Sequence, residues 1–386
     1  MGMKNGQGQI YHVTDNHSPS HPGVTAVITQ LTRFLAGQGW STTVLAAGKA
    51  LTPVPEGVGL VEFPLRPGGR TWRYPDKLKP YLQKIKKASG NIFHLHGVWG
   101  APQWLAARAA VHQKVPALLT AHDMLSPWHW QDGRLRRLKK LVYWRALAYP
   151  AFRNLTVIHA ITPKERDDLA RLFPGQRPEV IPNAVDLEEA ENLLSDSESG
   201  SAPPSGKYLL FLGRLHPQKG VDILLNAFAR SLKGRDFRLV LVGPDSTSAY
   251  TAKLKSVINL SGLEKQVTFL GPVFGPQKWR LYRDAWALCS PSQTEVVGLV
   301  NLEAAAAGAP VITTHETGLF DWEEGGGILV HPQVEPLQAA LEQVFSWSDR
   351  ERQDRGRKLR QLVERRYSWK AVGPLWLELY AKILGR

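Results

Sequence analysis

Two stretches carry cations and carboxylates at spacings that suit a phosphate ester. In FLGRLHPQKGVDILLNAFAR (211–230), an apolar run ends at Gly213, a short loop holds Arg214 and Lys219, and a helix pattern opens after Gly220. Open α/β sheets bind ligands beyond the carboxyl ends of their strands. There an arginine grips two phosphate oxygens as a fork, and a lysine acts as a point charge. By spacing alone, a solvated loop with two surface cations fits equally well. The loop lacks the G-x-x-x-x-G-K-[ST] pattern of a Walker loop. In SPSQTEVVGLVNLEAAAAGAPVITT (290–314), Glu295 lies in a polar loop. Gly298 opens a helix to about Ala307, stopped by Gly308 and Pro310. The first-turn N–H groups of Leu299 and Val300 have no intrahelical partner, so this helix start suits an anion. Glu303 lies four residues after Leu299, on the same face, where a carboxylate accepts hydrogen bonds from a ribose. Ala304 to Ala307 predict close packing of this helix on a sheet, which argues against a merely solvated Glu303.

These loops need strands to carry them. In the first half, IYHVT (10–14), STTVLAA (41–47), NIFHLHG (91–97), ALLTAHD (117–123) and LTVIHAIT (155–162) read as buried parallel strands, with a helix at about 24–38. In the second half, KYLLFLG (207–213), FRLVLVG (237–243), QVTFLG (266–271), ALCSPS (287–292) and PVITT (310–314) do the same. Strands alternating with helices predict an α/β chain with a doubly wound parallel sheet built twice. NLLSDSESGSAPPSG (192–206) is Ser-, Gly-, Pro- and acid-rich and is the expected linker. The expected division is a first domain at 1–191, a second at 207–366, and a last helical segment at 367–386. That segment carries a stripe of Trp369, Val372, Trp376, Leu379 and Ile383.

Composition narrows the class. The chain has 386 residues, 43% hydrophobic and 21% charged, as in an ordinary globular protein. A polar start without an apolar leader, and no apolar run of membrane-spanning length, lead to the expectation of a cytoplasmic protein. The single cysteine, Cys289, agrees with a reducing compartment and excludes Cys-pair redox chemistry and Cys-rich zinc sites. The net charge of +14 is uneven: residues 1–190 hold 24 basic against 13 acidic residues, and the remainder 24 against 21. The excess suggests nucleic acid, a membrane surface or an anionic substrate. No nucleic-acid-binding signature is evident, so nucleic acid is not expected as a partner.

GRLHPQKGVDILLNAF together with EVVGLVNLE resembles the group 1, or GT4-type, glycosyltransferases, through the patterns G-R-x-x-x-x-K-G and E-x7-E. VTFLGPV (267–273), LVGP (241–244) and VIPNAVD (180–186) fit the same family. The resemblance implies a retaining enzyme of the GT-B fold, with two Rossmann-like domains facing a cleft and a C-terminal helix crossing back to the first domain. It implies that Arg214 and Lys219 bind the donor diphosphate, that Glu303 holds the ribose, that Glu295 contacts the transferred sugar, and that Val273 lies beside the nucleobase. In the first half, HSPSHPGVTAVI (17–28) occupies the place of the family's first strand–helix loop, and Gly23 allows close approach to the donor phosphate. His122 matches the family's histidine near the transferred sugar. His94, His96, His112 and His129 are read as structural. IFHLHGVWG (92–100) and LLTAHDMLSPWHW (118–130) resemble members that build polysaccharide and lipopolysaccharide. The sequence departs from the family at Pro22 and Asp123, where glycine is commoner, and at Val296–Val297, where Gly-Phe is usual.

The expected chemistry is transfer of a hexose from a nucleoside-diphosphate-sugar to a glycan or lipid-linked acceptor. Arg214, Lys219 and the helix start at Gly298–Val300 stabilise the departing diphosphate without a metal or cofactor. Glu295 and His122 are the catalytic candidates. Whether Glu295 is a nucleophile or the phosphate takes the acceptor's proton stays open. A sugar-nucleotide epimerase or a phosphorylase is the alternative on this architecture. RLRRLKKLVYWR (134–145) is a basic amphipathic pattern, with Leu135, Leu138, Leu141 and Val142 beside Arg134, Arg136, Arg137, Lys139, Lys140 and Arg145. With Trp128, Trp130 and Trp144 nearby, it predicts peripheral binding to an anionic membrane. The alternative is that the stripe faces the core.

Overall fold

Every apolar run named above folds as a parallel strand in this computed structural model, which describes residues 8–19, 22–67, 72–87, 90–131, 133–195, 206–232 and 234–385. The first sheet comprises β1 (Gln9–Thr14), β2 (Ser41–Ala47), β3 (Gly59–Phe63), β4 (Ile92–His96), β5 (Ala117–Thr120), β6 (Val157–Ala160) and β7 (Glu179–Val180), in the order β3-β2-β1-β4-β5-β6-β7. The second comprises β8 (Tyr208–Leu212), β9 (Arg238–Val242), β10 (Val267–Gly271), β11 (Ala287–Ser290), β12 (Val311–Thr314) and β13 (Ile328–Val330), in the order β10-β9-β8-β11-β12-β13. In each sheet the chain leaves the middle in one direction and returns on the other side. The reversal falls between β1 and β4 and between β8 and β11, the place at whose carboxyl ends doubly wound sheets bind ligands.

Three strands carry no clear sequence signal: β3, β7 and β13. All three are sheet edges, and their residues are mostly only part-buried, so they lack the continuous apolar run of a central strand.

The chain divides into one unit of Met1–Asn183 with Val372–Arg386 and another of Ala184–Ala371. The break therefore comes before the stretch 192–206. The helix Leu187–Ser195 belongs to the second unit: Val185 N donates to Tyr367 O at 2.8 Å, Ala190 is buried, and Glu191 pairs with Arg360. Residues 196–205 lie outside the described residues. Composition marks where periodicity stops, whereas the break is set by which core a helix packs on.

The segment from Val372 clusters with the first unit. Its helix, Trp369–Ile383, buries Val372, Trp376, Leu379 and Tyr380. Gly373 packs on the ring of Phe34, which occupies the space a side chain would need. Trp376 lies over the His159 ring, with centroids 4.6 Å apart. Truncating a buried tryptophan leaves a cavity, so Trp376→Ala is expected to lower stability by about 3–5 kcal/mol, read from denaturant unfolding. A loss well under 1 kcal/mol would show that this helix is not integral to the first unit.

Candidate active site

In the second unit, the loops leaving β8 and β11 are tied together. His216 caps the turn Pro217–Lys219, its Nδ1 accepting from Gln218 N at 3.2 Å. Gly220 follows with φ +65°, and the Pro291 carbonyl sits where its side chain would be, so only glycine lets the two loops meet here. Gln293 N donates to Gln218 O at 2.8 Å, and Gln218 Nε2 donates to Thr294 O at 3.3 Å. The result is an ion pair between Lys219 and Glu295, both mostly buried. Arg214 is exposed and makes no hydrogen bond or ion pair among the described residues. Partial burial lowers the His216 pKa, and the charges of Arg214 and Lys219 lower it further.

The helix Leu299–Ala306 starts beside this pair. Gly298 has φ +68°, and a Cβ there would lie 2.9 Å from Asn301 Nδ2 and 3.2 Å from Glu295 Cγ. Asn301 anchors the helix start through Val297 O at 2.8 Å. Its backbone N–H donates to Gly298 O at 2.8 Å, which leaves Leu299 and Val300 ahead of the first turn's bond. Glu303 is held at both oxygens: Lys278 Nζ at 2.8 Å and the Tyr282 hydroxyl at 2.8 Å. Burial and the neighbouring Glu303 push the Tyr282 pKa well up, so it stays a donor. A carboxylate has about four lone-pair directions, so Glu303 keeps acceptor capacity for a diol. Sequence reasoning missed Lys278 and Tyr282; their i, i+4 spacing on the helix Gly275–Asp284 was the available signal. Val273 is buried just ahead of that helix, and Val296 and Val297 are buried next to Glu295.

In the first unit, His122 and Asp123 leave β5 with φ +53° and +65°. Asp123, where glycine is commoner, thus takes the left-handed conformation that glycine would take. Glu165 holds the pair in place. Thr162 Oγ1 caps the helix Pro163–Leu172 by accepting from Glu165 N, and the Glu165 carboxylate accepts from Ile161 N at 2.7 Å and Asp123 N at 2.9 Å. Gly23 lies in the first turn of the helix Pro22–Gly37, with open space where a side chain would be.

Behind His122 lies a layer of buried imidazoles that sequence reasoning did not assemble. His12, His94, His96 and His159 project from β1, β4 and β6 on one face, with Thr120 of β5 between. Hydrogen-bond supply fixes one series. His159 Nε2 faces Ile181 O at 2.9 Å, so it carries the proton. Its Nδ1 then accepts from Thr120 Oγ1 at 2.9 Å. Thr120 in turn accepts from His94 Nε2 at 2.8 Å, and His94 Nδ1 accepts from the Tyr380 hydroxyl at 2.8 Å. Burial pushes the pKa down to about 3 at His12, about 3 at His122 and about 4 at His159, and well down at His94 and His96, so all five rings are neutral. The ring nitrogens of His12, His94 and His96 lie within 4.8 Å of one another, but His94 and His96 have both nitrogens engaged. His129 lies 3.7 Å from Asp123.

The basic helix Arg134–Tyr143 has no buried residue: Leu135 is 68% exposed, Leu138 58% and Val142 58%. Its apolar stripe therefore does not face the core. Leu138, Val142, Ala146 and Leu147 line a shallow apolar groove. Trp144 is a correction: it is buried against Phe173, with centroids 5.5 Å apart, and is not available to a headgroup. No helix among the described residues is long and apolar enough to cross a membrane.

Burial raises the Glu165 pKa to about 7, and Asp123 and Asp168 add to this against the two N–H donors. The folded chain thus binds this proton more tightly than the unfolded chain. The stabilisation is complete below about pH 4.5 and is lost as pH rises through about 7, on the order of 3 kcal/mol. Unfolding measured at pH 5 and pH 7.5 is expected to show a smaller drop in Glu165→Gln than in the parent. An equal drop would assign the pH dependence elsewhere.

Two family profiles match the chain, one for each half. The profile of the family Glycosyltransferase Family 4 matches residues 22–189, and that of Glycosyl transferases group 1 matches residues 195–361. An uncharacterized glycosyltransferase of Methanocaldococcus jannaschii is 28% identical over 247 residues, spanning 61% of this chain and 62% of its own length. The D-inositol 3-phosphate glycosyltransferase of an Arthrobacter species is 31% identical over 243 residues, 60% of this chain and 54% of its own length. The chain thus spans less than two thirds of these relatives. Among solved structures, a sucrose-phosphate synthase from Thermosynechococcus elongatus has a TM-score of 0.78 at 20% identity, covering 98% of this chain and 100% of its own. Anabaena HepE in complex with UDP-glucose has 0.71 at 17%, covering 97% and 100%. WaaG, a glycosyltransferase involved in lipopolysaccharide biosynthesis, has 0.70 at 18%, covering 98% and 100%. At these identities the structures speak for the GT-B fold alone. With the two profiles matching nearly the whole chain and the fold agreeing, the chain belongs to the group 1, family 4 glycosyltransferases.

Proposed function

We propose that this chain transfers a hexose, with retention and without a metal, from a nucleoside-diphosphate-sugar to a glycan or lipid-linked acceptor in cell-surface polysaccharide or lipopolysaccharide synthesis. The observation that carries this reading is the Lys219–Glu295 pair beside Arg214 and the helix start at Gly298, at the reversal between β8 and β11. Arg214, Lys219 and the N–H groups of Leu299 and Val300 stabilise the diphosphate as it leaves. Glu303, oriented by Lys278 and Tyr282, holds the ribose, and Val273 borders the base. Glu295 and His122 meet the sugar, and Gly23 lets the first strand–helix loop approach the phosphates. The relative bound to UDP-glucose makes uridine the first base to test.

Arg214→Ala and Lys219→Ala are expected to weaken UDP binding about tenfold or more, since each removes a charge-assisted contact, while uridine binds them like the parent. Glu295→Gln is expected to lower turnover at least about tenfold with UDP affinity nearly kept, as a group acting in the transition state does. Calorimetry and a transfer assay read both. Normal UDP binding by both cation variants would remove this site.

The acceptor side of the proposal places the first unit on an anionic membrane, at the inner face of the plasma membrane. Its support is the exposed stripe Leu135, Leu138 and Val142 on a helix carrying Arg134, Arg136, Arg137, Lys139 and Lys140. Each cation near an anionic surface contributes about 1 kcal/mol, so the cluster holds the chain reversibly. Co-sedimentation with anionic but not neutral vesicles is expected, weakening as salt rises and lost when Arg136, Arg137, Lys139 and Lys140 become Ser. Failure to bind anionic vesicles at low salt sinks the membrane role and favours a soluble anionic acceptor.

A further inference from the structure

His122 ends a chain of imidazoles whose other end is buried. His12 Nδ1 lies 3.0 Å from His96 Nε2, and His96 Nδ1 lies 3.0 Å from His122 Nε2. His12 and His96 are fully buried, and His12 Nε2 has no hydrogen-bond partner. His122 is half-buried, and its Nδ1 has no partner among the described residues.

A neutral imidazole carries one N–H, so this chain has only two polarities. In the first, His122 Nε2–H donates to His96, His96 Nε2–H donates to His12, and His12 is left with an N–H buried without an acceptor. In the second, His12 Nδ1–H donates to His96, His96 Nδ1–H donates to His122, and the His122 proton sits on Nδ1 at the accessible end. The second gives both inner N–H groups an acceptor and leaves the third open to solvent or ligand. Its one bare atom is a lone pair at His12 Nε2. Orphaned buried N–H groups are rare in folded proteins. An acceptor left without a donor is less rare than an orphaned N–H. The second polarity is therefore favoured.

We infer that His12 and His96 are positioning residues that fix His122 in the Nδ1–H tautomer, so that His122 donates a hydrogen bond to an oxygen of the bound sugar rather than accepting one from a hydroxyl. The donor role rests on the reading of His122 as a sugar contact given above; the tautomer does not. A free histidine side chain favours Nε2–H in water, so the surroundings reverse the intrinsic preference. His94, stacked on His96 at 4.0 Å between centroids, holds that ring from the side and does not enter the chain.

The test is two-bond 15N–1H correlation on the full chain labelled at histidine, with His122 assigned by its loss in His122→Asn. The proton is expected on Nδ1 of His12, His96 and His122. A His122 proton on Nε2 overturns the inference; the tautomer is read on the parent, and the variant serves for assignment alone. His96→Leu is expected to return His122 towards Nε2–H and to lower kcat about tenfold, while UDP affinity stays within about twofold, because one hydrogen bond aimed at the sugar is lost. If the parent shows Nδ1–H but His122→Ala turns over like the parent, the sugar contact is wrong and the donor role falls with it.

Discussion

The Lys219–Glu295 pair exists because two loops, far apart in sequence, leave neighbouring strands of one parallel sheet. Their approach depends on Gly220, whose left-handed backbone and missing side chain admit the Pro291 carbonyl. Gly298 meets a similar demand from the other side, since a side chain there would press on Glu295. The pair is mostly shielded from water, where Coulomb attraction is less screened and desolvation costs more. Glu295 is therefore held in place by a cation that also suits a phosphate. Any anion held by Lys219 would change the field at Glu295 directly.

The first unit spends its sheet interior differently. Four imidazoles and a threonine replace aliphatic packing on one face of β1, β4, β5 and β6. Burying these rings is tolerable because they are neutral and each of their nitrogens has a partner apart from His12 Nε2. Trp376 and Tyr380 seal this layer, and the Tyr380 hydroxyl donates to the unprotonated Nδ1 of His94. The helix Trp369–Ile383 is thus a hydrogen-bonding cover as well as an apolar one. The same unit carries the acid Glu165, buried where the loops leaving β5 and β6 meet. Its carboxylate takes the N–H groups of Ile161 and Asp123, and so sets the turn from which His122 projects.

The chain's basic excess gains meaning only with exposure. A helix whose charged and apolar faces both reach solvent has unusual composition for a purely structural element, because exposed leucines on a charged helix bury nothing within the chain. Trp144, two turns on, reads alike in sequence yet belongs to the core beside Phe173.

Local sequence determined the central strands, the glycine-rich turns that end them, and the positions of Arg214, Lys219, Glu295 and Glu303 at carboxyl edges. These follow from periodicity and turn chemistry, which act over a few residues. It also carried the family patterns that imply their roles. Only the tertiary structure decided which groups meet. Lys278 and Tyr282 reach Glu303 from another helix, and Glu165 reaches across 42 residues to Asp123. The break at Asn183–Ala184, the edge strands β3, β7 and β13, and the exposure of the basic stripe were also settled in space. The imidazole layer shows the reason most plainly. A histidine at a strand position says which face it takes but not its partner. Its tautomer depends on where its neighbours' protons go, and parallel register brings those neighbours from four strands.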